Sequence, residues 1–216
     1  MSKTVSKFAL AASVSFAMAF TFSCSPPDDG GGNSSSSSGG GGGYTGSYGS
    51  ITYEGQTYKT VKIGEQTWMA ENLNYEAEGS KCYDNNPANC TKYGRLYNWE
   101  TAMTACPSGW HLPSDADWTT LTNYVGSSTA GTKLKAASGW FGNGNGTNDY
   151  GFSALPGGGG YSNGSFNFVG DRGEWWSATE YDAGRAYSRF MTYLGRSVGR
   201  YDGSKSNLNS VRCIKN

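Results

Sequence analysis

Few side chains in this 216-residue chain could do covalent chemistry. Its one histidine, His111, lies in the run from Cys106 to Trp118, which reads C-P-S-G-W-H-L-P-S-D-A-D-W. Nucleophilic catalysis would need that imidazole beside a serine or cysteine with an orienting carboxylate, and no nucleophile elbow is present. His111 therefore reads as a structural residue that hydrogen-bonds its own turn. Five cysteines stand at 24, 82, 90, 106 and 213, with no C-x-x-C and a single histidine to complete a ligand set, so a transition-metal site is not expected. A hard cation would want clustered oxygens. Asn143, Asn145, Asn148 and Asp149 supply some, but alternating Gly and Asn is also turn chemistry. No cofactor is expected, with calcium at that loop as the lesser alternative.

What the residues offer more plainly is recognition. Trp140, Phe141, Tyr150, Tyr161, Tyr181 and Tyr187 sit among Gly, Asn and Ser, with Asp171, Arg172 and Glu174 close in sequence. Aromatic faces flanked by amides and carboxylates suit a sugar ring, whose C–H face stacks while its hydroxyls hydrogen-bond. The 33 Gly, 15 Tyr and 7 Trp fit such a surface, though they equally fit a loop-rich domain with no ligand. Trp175 and Trp176 are adjacent, so a strand would turn one inward and one outward; Trp176 is taken as core.

These residues need a frame. Residues 51–53, 56–63 and 66–73 alternate apolar and polar across Glu54-Gly55 and Gly64-Glu65, which predicts a β-meander. A helix is expected over 95–104 with Leu96, Trp99 and Met103 on one face. A second begins after Ser114, which caps it with Asp117 three residues on, and buries Trp118, Leu121 and either Tyr124 or Val125. Beyond Lys133 come turns at 142–149 and 157–160, then strands at 166–169, 174–179, 187–194 and 210–214. Two short helices among antiparallel strands and long Gly-rich loops give an α+β domain.

The front of the chain has a different character. Lys3 and Lys7 precede an apolar run from Phe8 to Phe22 that ends at Ser23-Cys24, the pattern of a signal peptide over residues 1–23. The run is short of the roughly twenty residues a bilayer span needs. Cys24 resembles the lipidated cysteine of a lipobox, although Thr21 and Phe22 depart from its usual residues. Residues 24–48 are rich in Gly and Ser and read as a flexible linker whose root-mean-square reach is about 25–30 Å. Asp28 and Asp29 resemble an acidic surface-export tag. The expectation is a lipid-anchored protein of the cell envelope, outer membrane or cell surface, or a secreted one if Cys24 is not lipidated. Net charge is zero with no basic stripe, so no nucleic-acid partner is expected. With Cys24 taken by lipid, the other four cysteines are an even set in an oxidising compartment. Three pairings are open; Cys82 with Cys90 and Cys106 with Cys213 are favoured, the first closing a small loop and the second tying the central turn to the last strand.

Six ordered motifs, I-G-E-Q-T-W-M-A-E-N-L-N-Y from Ile63, Y-G-R-L-Y-N-W from Tyr93, the Cys106 run, F-S-A-L-P-G-G from Phe152, W-W-S-A-T-E from Trp175 and S-V-R-C-I-K-N from Ser210, resemble the Fibrobacter succinogenes major paralogous domain. The resemblance covers nearly everything from Ile51 onward, and the domain is taken as residues 49–216. It implies a C-type lectin-like fold and an exported or lipid-anchored protein of unsettled function. The L-P-S-x-x-x-W turn from Leu112 is also similar to a turn of formylglycine-generating enzymes, which use reactive cysteines. The leading expectation is a non-catalytic binding or adhesion domain for polysaccharide or an envelope protein. The alternatives are an enzyme akin to those oxidases and a structural envelope module.

Overall fold

The computed structural model describes residues 43–216. The expected signal segment, Cys24 and the linker up to residue 42 lie outside the described residues. The expected meander is present as β1 (Gly49–Tyr53), β2 (Gln56–Ile63) and β3 (Gln66–Met69). Glu54 and Gly55 both take positive φ, 47° and 76°, the two-residue turn whose twist matches an antiparallel hairpin. Next come α1 (Pro87–Tyr93), β4 (Leu96–Tyr97), α2 (Trp99–Ala105), β5 (Trp110–His111), α3 (Asp115–Val125) and α4 (Ala130–Leu134). The C-terminal third holds β6 (Gly157–Gly160), β7 (Phe166–Val169), β8 (Arg172–Glu180), β9 (Arg185–Thr192), β10 (Gly199–Ser204), β11 (Asn209–Ser210) and β12 (Ile214–Lys215). The protein is α+β, and its short α-helices number four among the described residues, not two.

Two of the differences from expectation have clear causes. Residues 95–98 do not join α2, because Leu96 and Tyr97 pair with Asn209 and Ser210 of β11, and Asn98 then caps the helix by accepting from the Thr101 N–H at 2.9 Å. Met103 accordingly points to solvent. In α1, Asn86 caps and Pro87 takes the first turn, a start signal hidden in what reads as a loop. The capping box of α3 forms as expected: the Ser114 hydroxyl accepts from the Asp117 N–H at 3.1 Å and the Asp117 carboxylate accepts from the Ser114 N–H at 2.8 Å. Trp118, Leu121 and Val125 are buried below it, while Tyr124 is exposed.

The strands form one sheet in the order β1-β2-β3-β12-β5 and a second along β10-β9-β8-β11-β4, with β6 lying parallel to β8 and antiparallel to β7. Cores lie on both faces of β8. Trp175 packs with Trp118, Phe152, Trp68 and Met191 on one side, and Trp176 with Tyr97, Trp99, Leu112 and Val211 on the other. Both tryptophans are therefore fully buried, which corrects the expectation of one facing out. The alternation holds, but each face meets a core.

The pairs Cys82–Cys90 and Cys106–Cys213 are disulfides. Near the second, the fully buried Arg212 has no carboxylate bonded to it among the described residues. It donates to the Phe152 carbonyl and, through Nη2 at 2.7 Å and Nε at 3.2 Å, to Asn72 Oδ1, with its guanidinium 4.3 Å from the Phe152 ring centre. The same Asn72 oxygen accepts from Trp175 Nε1 at 2.8 Å, while Asn72 Nδ2 donates to the Tyr93 carbonyl at 2.8 Å. Among the described residues, no helix is long and apolar enough to cross a membrane.

Candidate binding cleft

The four glycines of β6 let backbone approach where no side chain would fit. Gly158 takes φ 65°, and a Cβ there would meet the Asn167 carbonyl oxygen at 2.5 Å and the Tyr83 ring at 2.7 Å. What reads as a glycine turn is instead a strand, paired through Gly158 with Gly173 of β8, through Gly159 with Asn167 of β7 and through Gly160 with Leu208. Beside this bare backbone lies a cleft of ≈ 270 Å³. Tyr161 and Phe168 enter it from the β6–β7 hairpin, Arg172 and Glu174 from β8, Tyr201 from β10, Asn207 from the approach to β11 and Asn209 from β11 itself.

The polar groups are fixed. Glu174 and Tyr201 sit opposite Phe190 and Ser188 of β9, so they share a face of the sheet. Ser188 Oγ donates to Glu174 Oε1 at 2.6 Å, and Arg172 Nη2 lies 2.8 Å from Glu174 Oε2. The Arg172 guanidinium stacks 4.1 Å over the Phe190 ring and reaches 5.9 Å from Tyr201, while its Nε is buried without a partner. The aromatic groups stand open: Tyr161 is 36%, Phe168 50% and Tyr201 52% exposed. Phe168 holds φ 71°, an uncommon left-handed conformation for an aromatic residue. Such strain persists only where the surroundings over-determine it.

This arrangement can hold a molecule better than it can transform one. Glu174 is the one carboxylate lining the cleft, and Arg172 and Ser188 already engage it. A second hollow of ≈ 220 Å³ is lined by Tyr48, Lys59, Glu71, Asn74 and Tyr93. There Lys59 Nζ sits 5.5 Å over Tyr48 and Lys92 Nζ 4.8 Å over Tyr93, so its ring faces are occupied by the protein's own cations.

Of the residues singled out from sequence, the structure brings Tyr161, Arg172 and Glu174 together. Trp140 is buried, donates from Nε1 to the Ala154 carbonyl at 3.0 Å, and belongs to the core. Phe141 is exposed on a neighbouring turn, its ring centre 5.6 Å from Tyr193. Tyr150 lies against the core beside Tyr124. Asp171 holds a turn, donating its N–H to the Phe168 carbonyl at 3.0 Å. Tyr181 and Tyr187 pair at 5.4 Å on another surface, where Arg185 and Arg200 cover them. Tyr201, Asn207 and Asn209 escape sequence reasoning because strand pairing brings them from outside the aromatic-rich window, whereas Phe168 lies within it on an expected strand and is not singled out by its neighbours in sequence. Only their residue types were available as a signal.

His111 lies at the surface, where Nδ1 is 2.7 Å from Asn216 Oδ1 and Nε2 is 3.6 Å from Asp117 Oδ2. The oxygen-rich loop spends its amides on itself. Asn145 Oδ1 accepts from the Trp140 N–H at 3.0 Å and Asn148 Oδ1 from the Ser153 N–H at 2.8 Å. No group of three or more His, Cys, Asp or Glu placed to hold a metal occurs among the described residues.

The family model of the Fibrobacter succinogenes major domain matches residues 61–215. The chain belongs to this family. No curated protein and no solved structure matches it. The match to the Fibrobacter succinogenes major domain starts near the end of β2 and runs into β12, so it leaves out β1 but takes in the whole second sheet and every residue that lines the cleft.

Proposed function

We propose that this member of the Fibrobacter succinogenes major domain family is an exported, lipid-anchored, non-catalytic domain of the cell envelope that binds glycans in the cleft of Tyr161, Phe168 and Tyr201. One observation carries the reading: three partly exposed aromatic rings converge on a bare glycine backbone beside an Arg172–Glu174 pair and two asparagines. A pyranose offers the complement, an apolar face for the rings and hydroxyls for Glu174, Asn207 and Asn209. Membership of C-type lectin-like proteins would agree with such a role. The pairing of Cys82 with Cys90 and of Cys106 with Cys213 favours binding over thiol oxidation, since it leaves no free thiol among the described residues.

Affinity electrophoresis against cellulose, xylan and peptidoglycan fragments tests the reading. At least one should retard the domain, and Tyr201→Ala or Tyr161→Ala should weaken binding about tenfold, the loss of roughly one stacked ring. Absence of retardation by any of them, or retardation that neither substitution changes, would sink the glycan assignment.

A further inference from the structure

Beside the cleft, two turns carry apolar side chains into solvent. Leu194 is 78% exposed on the β9–β10 turn and Phe141 is 63% exposed on the glycine-rich loop. They are locked together: Phe141 and Tyr193 meet edge to face at 5.6 Å, and a Cβ on Gly144 would strike Tyr193. The buried Lys135 fixes the second turn from below, its Nζ donating to the carbonyls of Thr192, Tyr193 and Gly195 at 3.1, 3.4 and 3.2 Å while lying 5.1 Å over the Trp140 ring. The Phe141 N–H donates to the Gly170 carbonyl at 2.9 Å, which places the partly exposed Val169 next in line. Phe141, Val169 and Leu194 thus form one rigid apolar rim. It adjoins the cleft, since Phe168 precedes Val169 and Arg172 pairs with Thr192.

We propose that this rim rests in the interfacial zone of the lipid surface to which Cys24 tethers the chain, so that the cleft opens at headgroup level. The inference rests on the lipid-anchor reading. Its support is where the described chain begins. Tyr44 packs on Gly151 and on the same core as Trp140 and Tyr193. Gly151 and Gly144 belong to one loop, and the residues between them span at most about 25 Å. Read from sequence alone, the stretch from Ser25 to Gly43 would have a similar reach, about 22–26 Å. The root of the tether is therefore close enough to the rim to bring it onto the membrane that holds Cys24. A tethered surface acts at high effective concentration, so a small apolar contact suffices to orient the domain. The rim carries one charge of each sign, Asp171 and the exposed Arg196, so the contact is apolar and does not depend on anionic lipid.

The test couples the chain from Cys24 onward, through that unpaired thiol, to a maleimide lipid in phosphatidylcholine nanodiscs doped with nitroxide lipid. Methyl signals of Leu194 and Val169 should broaden severalfold more than that of Met103, an exposed methyl on α2 beyond the other core. The double variant Phe141→Ser/Leu194→Ser, altered only at exposed positions, should lose the excess at Val169. Equal broadening at Val169, Leu194 and Met103 overturns the proposal. So does protection of Leu194 that appears only as protein concentration rises, which would make a second copy the occupant. Chemical coupling keeps this result independent of natural lipidation, which mass spectrometry of the cell-derived chain reads separately.

Discussion

Asn72 does the work of several residues in the interior. Its oxygen receives Trp175 and Arg212, and its amide donates to Tyr93 and Ser210, so one side chain ties β8, α1, β11 and the final strand region together. Asn72→Ala would leave a buried indole N–H and a buried guanidinium short of acceptors, and each such orphan costs about 1–3 kcal/mol. Urea unfolding should show a loss of about 3 kcal/mol or more. Tyr97 gives a pH prediction. Its hydroxyl donates to the Tyr75 carbonyl at 2.7 Å and the Leu73 carbonyl at 3.3 Å, and burial holds the phenol well above its ordinary value of 10.0. The folded state thus keeps a proton that the unfolded chain releases. The stabilisation is complete below pH 10 and falls as pH rises above it. Thermal melts should decline above about pH 10, and Tyr97→Phe, less stable at neutral pH, should decline less steeply there. At this scale much was legible: the Ser114 cap, the burial of Trp118 and the disulfide partners. Asn72 and Arg212 were not, because an asparagine and an arginine give no sequence sign that they will be buried 140 positions apart and bonded to each other.

Among elements, β6 decides whether the cleft exists. Its glycines admit the Asn167 carbonyl at a distance no Cβ tolerates and the Leu208 side chain at one that few do. Gly158→Ala meets both a positive φ and that crowding, and should cost about 1–3 kcal/mol of stability. It should also abolish ligand retardation, because the β6–β7 hairpin that carries Tyr161 and Phe168 must shift; a variant as stable as the parent and fully able to bind would contradict this. Sequence periodicity located the meander, α3, β8 and β9 well, since each presents an alternating or helical stripe to a core, but it missed β10 and read β11 and β12 as one strand over 210–214. It placed residues 95–98 in a helix because Leu96 and Trp99 share helical spacing, whereas pairing with β11, more than a hundred residues away, claims Leu96 and Tyr97 first. A run of four glycines carries no periodicity at all, so its strand was invisible until its partners were known.

Across the whole molecule, closure falls to the last few residues. The Cys106–Cys213 link spans 107 positions and the Cys82–Cys90 link only 8. Loop entropy then predicts losses of about 5 and 2.5 kcal/mol for the Cys106→Ser/Cys213→Ser and Cys82→Ser/Cys90→Ser pairs. Denaturant midpoints should fall in that order, with the first pair clearly the more damaging. The class of fold could be read at this scale from ordered motifs, yet the cleft could be read only in part. Tyr161, Arg172 and Glu174 lie within one composition window, whereas Tyr201, Asn207 and Asn209 enter by strand pairing that composition does not encode. The position of β11 and β12 has a further consequence. β11 lies between β8 and β4, and β12 between β3 and β5, so residues 209–215 complete both sheets. Without them β4 and β5 lose the strands that join them to the rest of each sheet, and Cys106 has no partner. A chain cut after Leu208 should therefore remain open, with a free thiol at Cys106 that the intact fold does not offer.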